Sequence, residues 1–223
     1  MPIIQLYNKL LQFPLFLGMS RDDLSNIIEH TRFGFVKYEK DKIIIKEGQQ
    51  CNRLYFLTDG IISIKNCSDN NSYSVEEDIH APYIFDMEYL FGLTQKFPST
   101  YKAITTCNLI VIDKEEILKL SDEFFIFKIN MFNLLSTQSQ KLIGKPWRKH
   151  PNSTRATIIR FIKDHCIYPA GKKMFNINMQ TLANQINDGR LNVSRELNKM
   201  KEEKLILLHR GGFEIPALEH LLM

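Results

Sequence analysis

Leu182-Ala183-Asn184-Gln185-Ile186-Asn187-Asp188-Gly189-Arg190-Leu191-Asn192-Val193-Ser194-Arg195-Glu196-Leu197 reads as two helices broken by a turn. Leu182, Ala183 and Ile186 share one face of a first helix that Asn178 can cap. Ala183 is small where a second helix would cross closely. Asn187-Asp188-Gly189 supplies the tight turn. From about Arg190 to Glu203 the second helix turns Val193, Leu197 and Met200 inward at i, i+4 and i+7. Leu205-Ile206 continue into a strand, and Arg210-Gly211-Gly212 turns a hairpin ending at Phe213 and Ile215. Helix, short turn, helix and hairpin is the build of a winged helix-turn-helix.

The outward side of the second helix is polar and basic. Arg190, Leu191, Asn192, Ser194, Arg195, Asn198 and Lys199 are its candidate DNA contacts. Arg can pair bidentately with guanine O6 and N7, and Asn with adenine N6 and N7. Lys199, Lys201, Lys172 and Lys173 suit phosphates, which set register without reading sequence. The charge balance agrees. Of the net +4, residues 1–144 hold 15 Lys+Arg against 18 Asp+Glu, and residues 145–223 hold 14 against 7. A mildly acidic body joined to a basic tail is the asymmetry expected when one end meets nucleic acid. Improved solubility, or contact with an acidic membrane surface, would use the same charges.

Upstream, Pro14-Leu15-Phe16 and Ser20-Arg21-Asp22-Asp23-Leu24 read as short helices, with Ser20 as cap. From Phe33 to about Ile112 short β-rich runs alternate with turns at Glu47-Gly48, Asp59-Gly60 and Asp69-Asn70-Asn71, which predicts a barrel or rolled sandwich. Asp113 is placed to cap a short helix. Ser121-Asp122-Glu123 is expected to open a longer one that stops at Gly144 and Pro146. On that helix Phe124, Phe127, Met131, Leu134 and Gln138 step by three and four as a dimer seam would, with Phe125, Phe132, Leu135 and Leu142 in a second row. Two such rows suggest packing against its own domain on one side and a partner helix on the other; the alternative is that both form one broad core face. Gly144–Pro151, with two prolines and clustered base, is the expected linker.

These segments together resemble the Crp/Fnr (cyclic-AMP-receptor-like) transcription regulators. The run from Leu182 to Ile206 is similar to their winged helix. Gly48-Gln49-Gln50-Cys51-Asn52-Arg53-Leu54-Tyr55-Phe56-Leu57-Thr58-Asp59-Gly60-Ile61 is similar to the signature of their nucleotide-binding roll. The resemblance covers nearly the whole chain. It implies an α+β protein with a cyclic-nucleotide-binding-like β-roll (jelly-roll) over 1–120, a dimerisation helix over 121–144 and a winged helix-turn-helix over 145–223. It further implies a cytoplasmic homodimer that reads a near-palindromic operator on double-stranded DNA, with recognition helices about 34 Å apart. RNA polymerase and a small-molecule effector are its implied partners.

The departures from that family are specific. Where its nucleotide-binding members carry an acidic residue and then an Arg-Ser step, this chain has Phe85-Asp86-Met87-Glu88-Tyr89-Leu90 and Phe97-Pro98-Ser99-Thr100. Asp86, Glu88, Pro98, Ser99 and Thr100 are thus the candidate effector residues. Pro98 stands in the place of the phosphate-binding Arg, with only Lys96 and Lys102 nearby, so cyclic AMP is not expected. The effector and any cofactor stay unnamed. The first cysteine is Cys51, which does not fit the N-terminal cysteine cluster of the iron–sulfur branch, while His30 and His80 leave haem open. In the recognition helix, the archetypal Arg-Glu-Thr-Val-x-Arg becomes Arg190-Leu191-Asn192-Val193-Ser194-Arg195. Leu191 can touch a thymine methyl where the archetype's carboxylate would accept from cytosine.

Other classes fit less well. At 223 residues, 44% hydrophobic and 24% charged, the chain can build a sizeable core. It contains no apolar run long enough for a transmembrane helix and no signal-peptide pattern. Cys51, Cys67, Cys107 and Cys166 are too scattered for a metal site or a disulfide framework. GxSxG, HExxH, GxxxxGK[ST] and GxGxxG are all absent, so an enzyme is not expected. A sensor module of the same roll acting through protein partners is the remaining alternative, but it leaves the basic tail without a use.

Overall fold

The computed structural model describes residues 3–145, 147 and 151–222. In chain order these form α1 (Ile3–Leu10), a 3₁₀ turn (Pro14–Phe16), α2 (Arg21–His30), β1 (Phe33–Tyr38), β2 (Ile43–Ile45), β3 (Arg53–Asp59), β4 (Ile61–Cys67), β5 (Ser74–His80), β6 (Tyr83–Ile84) and a second 3₁₀ turn (Met87–Tyr89). β7 (Thr100–Ala103), β8 (Cys107–Asp113), α3 (Lys114–Glu123), α4 (Phe125–Ile143), α5 (Thr154–Asp164), β9 (Lys173–Asn176), α6 (Met179–Ile186), α7 (Arg190–Glu202), β10 (Leu207–His209), β11 (Gly212–Ile215) and α8 (Leu218–Leu221) follow. The chain is α+β. Of the expected linker, Pro146, Arg148, Lys149 and His150 lie outside the described residues. Two compact units emerge, one of Met1–Ile62, His80–Pro98 and Lys102–Arg148, the other of Ser63–Ile79, Ser99–Tyr101 and Lys149–Met223. They cut across the expected limits at 120 and 144, because residues 63–79 and 99–101 group with the C-terminal segment.

The first unit is built on an antiparallel sheet ordered β1-β8-β3-β6. Phe33 pairs with Ile112 and Tyr38 with Cys107 at one edge, while Leu54 and Phe56 oppose Ile112 and Ile110 at its centre. β8 is buried continuously from Leu109 to Ile112, as a strand covered on both faces must be. An aromatic chain fixes the helices. Phe13 meets Phe56 edge-on at 5.1 Å, and Phe16 lies 6.0 Å from Phe56 and 5.4 Å from Phe127. Asn130 Nδ2 donates to the carbonyls of Leu15 (3.1 Å) and Leu17 (2.8 Å), so α4 is held to the first 3₁₀ turn by polar contacts as well. Ser20 caps α2, accepting from Asp23 N at 3.0 Å. Gly60, with φ +104, is required: a Cβ there would sit 2.6 Å from the Thr106 carbonyl oxygen.

Three expectations about the helices need correcting. Ser121, Asp122 and Glu123 end α3 instead of opening α4, and Ser121 Oγ donates back to the Leu118 carbonyl at 2.7 Å. Asp113 occupies the cap position of α3 without a capping bond, because its carboxylate takes Arg53 Nε at 2.7 Å. The expected seam does not lie on one surface. Phe127 and Met131 are buried in their own unit, Phe124 and Leu134 are half-buried, and Gln138 is exposed. The outward row on α4 is instead Phe125, Ile129 and Phe132, with Ile126 beside it and Leu142 and Ile143 at the far end.

In the second unit, β9 lies between β11 and β5, pairing Phe175 with Phe213 on one side and with Val75 on the other. The rings of Phe175 and Phe213 stack at 5.0 Å. Ile158 and Ile162 of α5, Leu182 and Ile186 of α6, and Val193, Leu197 and Met200 of α7 close over this sheet. Val75 of β5 belongs to the same core. Along β9, Lys173, Phe175 and Ile177 point inward together, and along β5 so do Val75, Glu77 and Ile79. Glu77 and Lys173 therefore face each other across the ladder, both fully buried, at 2.7 Å. The Glu77 carboxylate also accepts from the backbone N–H of Ile167 (2.7 Å) and Tyr168 (3.4 Å).

Candidate nucleic-acid interface and nucleotide-binding region

α7 carries the candidate DNA contacts. Val193, Leu197 and Met200 hold its inner side, so Arg190, Leu191, Asn192, Arg195, Asn198 and Lys199 are exposed and Ser194 is half-buried. Leu191 is 80% exposed, an unusual place for a leucine in the first turn of a helix. The structure thus puts the seven predicted residues on one helix, with six of them open to solvent. The Asn178 side chain caps α6, accepting from Thr181 N at 2.8 Å, and Asn187 ends it in the left-handed conformation. Gly189 is the N-cap of α7 and has no side chain to offer, so the helix N-terminus carries its partial positive charge without a side-chain cap.

Asp188 organises this corner. Its Oδ1 accepts from Gly189 N (2.6 Å) and Asn192 Nδ2 (2.9 Å), and its Oδ2 from Thr154 Oγ1 (2.5 Å). The bonds from Thr154, Asn192 and Gly189 hold its carboxyl below the ordinary range, so it is anionic at neutral pH. At the other end of α7, Arg155 clasps Glu203 through both guanidinium nitrogens at 2.7 and 2.5 Å.

Not every expected phosphate contact survives. Lys173 is buried against Glu77 and cannot reach a phosphate, because the alternation of β9 turns it inward. Lys172 Nζ lies 3.0 Å from Glu214, and Lys199 Nζ lies 2.8 Å from Glu196, both at the surface. Residue-by-residue reading of the sequence also missed Asp188 and Glu77. For Asp188 the available signal was the glycine after it, which leaves the helix start to be served from one residue back.

In the first unit, the Gly48–Cys51 turn is zipped to residues 95–97. Gly48 N donates to Phe97 O at 2.8 Å, Phe97 N to Gln49 O at 2.9 Å, and Cys51 N to Gln95 O at 2.9 Å. Burial, reinforced by the Asp86 carboxylate, pushes the Cys51 thiol up to about 11, which keeps it a protonated core group. Of the candidate effector residues, Asp86, Glu88 and Pro98 lie in this unit, while Ser99 and Thr100 lie in the other. Glu88 is exposed, with Gln138 Nε2 at 3.5 Å. Ser99 is buried and donates to Asn66 Oδ1 at 2.5 Å. Lys102, one of the two cations near Pro98, is paired with Asp41 at 2.8 Å. A cleft of about 500 Å³ in the second unit is lined by Asn66, Asp69, Tyr73, His165 and Gln185 among others, and by none of the five candidate effector residues.

Residues 35–124 match the family model of the cyclic nucleotide-binding domain. The match runs from within β1 to just past α3 and includes Asp86, Glu88 and Pro98 to Thr100. No curated protein matches the sequence. Among solved structures, the chain is similar to the catabolite activator protein of Thermus thermophilus, with 20% identity over 94% of this chain and 96% of that one and a TM-score of 0.51. It is similar to a candidate Crp/Fnr-family transcriptional regulator from Eubacterium rectale, at 17% identity over 95% and 97% of the two chains and a TM-score of 0.54. The sensor domain of the transcriptional regulator DNR from Pseudomonas aeruginosa matches 68% of this chain over 97% of its own, at 17% identity and a TM-score of 0.53. At such identities the likeness is one of fold. Two of these neighbours extend it beyond residues 35–124 to nearly the full chain. Among the described residues no helix is long and apolar enough to cross a membrane.

Proposed function

We propose that the protein is a DNA-binding transcription regulator of the Crp/Fnr type. It works as a homodimer paired through the outward row of α4, with α6, α7 and the β10–β11 hairpin acting as a winged helix-turn-helix. The observation that carries this reading is α7 itself: an apolar side locked into its unit, and Arg190, Asn192 and Arg195 displayed together on its first turns. That is where a recognition helix meets base edges. The basic balance of residues 145–223 supplies the non-specific attraction. The names of the full-length structural neighbours, a catabolite activator and a candidate Crp/Fnr regulator, point the same way.

The test separates reading from docking. Arg190→Ala and Arg195→Ala should each cost about 1–3 kcal/mol on a selected operator and relax one base position, whereas Lys199→Ala should weaken all duplexes alike and reduce the salt slope. Fluorescence anisotropy on selected and random duplexes measures both effects. Equal losses on the two kinds of DNA for all three variants would refute the assignment.

The effector of the nucleotide-binding domain is read as something other than cyclic AMP. Pro98 has neither charge nor N–H where the phosphate would need an arginine, and Lys102 is engaged by Asp41. Titration calorimetry with cyclic AMP is expected to show no saturable heat. A micromolar or tighter site would overturn the reading of Pro98.

A further inference from the structure

The turn between α6 and α7 does more than join two helices. The Asp188 carboxylate can only accept hydrogen bonds, so the Asn192 amide group facing it at 2.9 Å must be the nitrogen. The amide oxygen is therefore turned away from Asp188. Asp188 is itself held from a separate element. Its other oxygen takes Thr154 Oγ1 at 2.5 Å, in the first turn of α5, and Ser153 caps that turn by accepting from Ala156 N at 3.2 Å. Asn192 is exposed, and Asp188 uses one of its two N–H groups. An acceptor and one donor remain for a ligand.

We infer that Asp188 is a positioning residue for base recognition, holding the Asn192 amide so that it selects adenine in the major groove. Adenine presents the N6 amino group to the amide oxygen and N7 to the remaining N–H. Guanine presents acceptors at both places and would face the oxygen with a lone pair. Without Asp188 the amide can turn over, and its nitrogen then suits guanine as well. The inference rests on the DNA-binding reading above and goes beyond it by naming the base and the residue that fixes the choice.

The experiment is binding-site selection from a randomised duplex library with the full chain and three variants, each checked for an unchanged thermal midpoint. The wild-type protein should show one adenine position that Asn192→Ala flattens, leaving the positions read by Arg190 and Arg195 intact. A good bidentate contact discriminates roughly 5- to 150-fold, and Asp188→Ala should lose most of that factor at the adenine position alone. Asp188→Asn keeps the size and can donate to the Asn192 oxygen, so it should move the preference from adenine toward guanine. Affinity for random DNA should not fall, since removing the Asp188 charge can only strengthen the non-specific attraction, whereas a merely structural defect would lower it.

The adverse outcomes are distinguishable. An adenine preference that depends on Asn192 but persists in both Asp188 variants overturns the positioning role. Selection in which Asn192→Ala alters no position overturns the assignment of the reader, even if the arginine variants still relax theirs. A wild-type protein that selects no sequence removes the DNA-binding reading itself.

Discussion

Lys173→Met should destabilise the C-terminal unit by about 3–5 kcal/mol, a large part of the 5–15 kcal/mol that holds an ordinary domain together. The magnitude follows from what is left behind. Glu77 is fully buried, opposite Lys173 in register, and removing the ammonium leaves a carboxylate with no counter-charge in an apolar sheet. Glu77→Gln should cost a comparable amount by stranding the lysine. The double variant Glu77→Leu with Lys173→Met is the informative control. Apolar replacement of a buried pair is often neutral, but here the N–H groups of Ile167 and Tyr168 also lose their acceptor, at about 1–3 kcal/mol for an unsatisfied buried group. The double variant should therefore recover only part of the loss. Urea unfolding followed by circular dichroism, with amide exchange read at β9, measures all three. A cost below about 1 kcal/mol for Lys173→Met would mean that the pair is hydrated and adds little to the unit's stability. The same geometry makes truncation after residue 144 a poor probe of the rest of the chain, since it strips Lys173 from Glu77 and Phe175 from Val75.

The sequence made the local elements legible where one signal dominated. Val193, Leu197 and Met200 at helical spacing, with Ala183 and the Asn187–Gly189 turn before them, placed α6 and α7 to within a residue or two. The β-rich run from Phe33 likewise began and ended where the strands do. The reading failed where a charged residue obeyed an apolar rule. Lys173, Phe175 and Ile177 alternate, and so do Val75, Glu77 and Ile79, but Lys173 was read by its charge as a phosphate contact and Glu77 was passed over. Each charge is tolerable inside only because of the other, and the two stand 96 positions apart in the chain. Nothing local to either strand announces that pairing, and β9 was missed with it.

α4 shows a different limit. Two apolar rows on one helix were legible, but not which row its own unit would take. The choice depended on Phe16 and the carbonyls of Leu15 and Leu17, which the first 3₁₀ turn brings against Phe127 and Asn130. Once Phe127 and Met131 are committed to that core, only the outward row is left for a partner. Asp86, Glu88 and Pro98 to Thr100 were singled out only through the resemblance, and nothing local to them announces that Pro98 and Ser99 fall in different compact units.

That assignment of rows leads to the second large effect. Phe125→Asp with Phe132→Asp should convert the protein from dimer to monomer at micromolar concentration while leaving each chain folded. Phe125 is 70% exposed and Phe132 52%, and together with Ile129 they leave the first turns of α4 apolar and open on one side, which continues through Ser136 and Ser139 before Ile143. An exposed apolar patch of that kind marks an interaction site, and in the proposed homodimer a second copy of the same helix related by a two-fold axis would cover it with its own likeness. Each phenylalanine buried in such a seam contributes about 1.5–3 kcal/mol, and the symmetry counts every substitution twice. Association should weaken by well over a thousandfold, and operator binding should fall with it because the two half-sites are no longer read together. Phe127→Ala is the counter-experiment. It removes a ring from the core against Phe16 and should cost about 3–5 kcal/mol of folding stability without selectively splitting the dimer. Sedimentation velocity and chemical denaturation on the same two variants give opposite patterns if the rows are assigned correctly. A double-aspartate variant that stays dimeric would move the seam elsewhere, and a Phe127→Ala variant that dissociates without losing stability would return it to the row that the sequence first suggested.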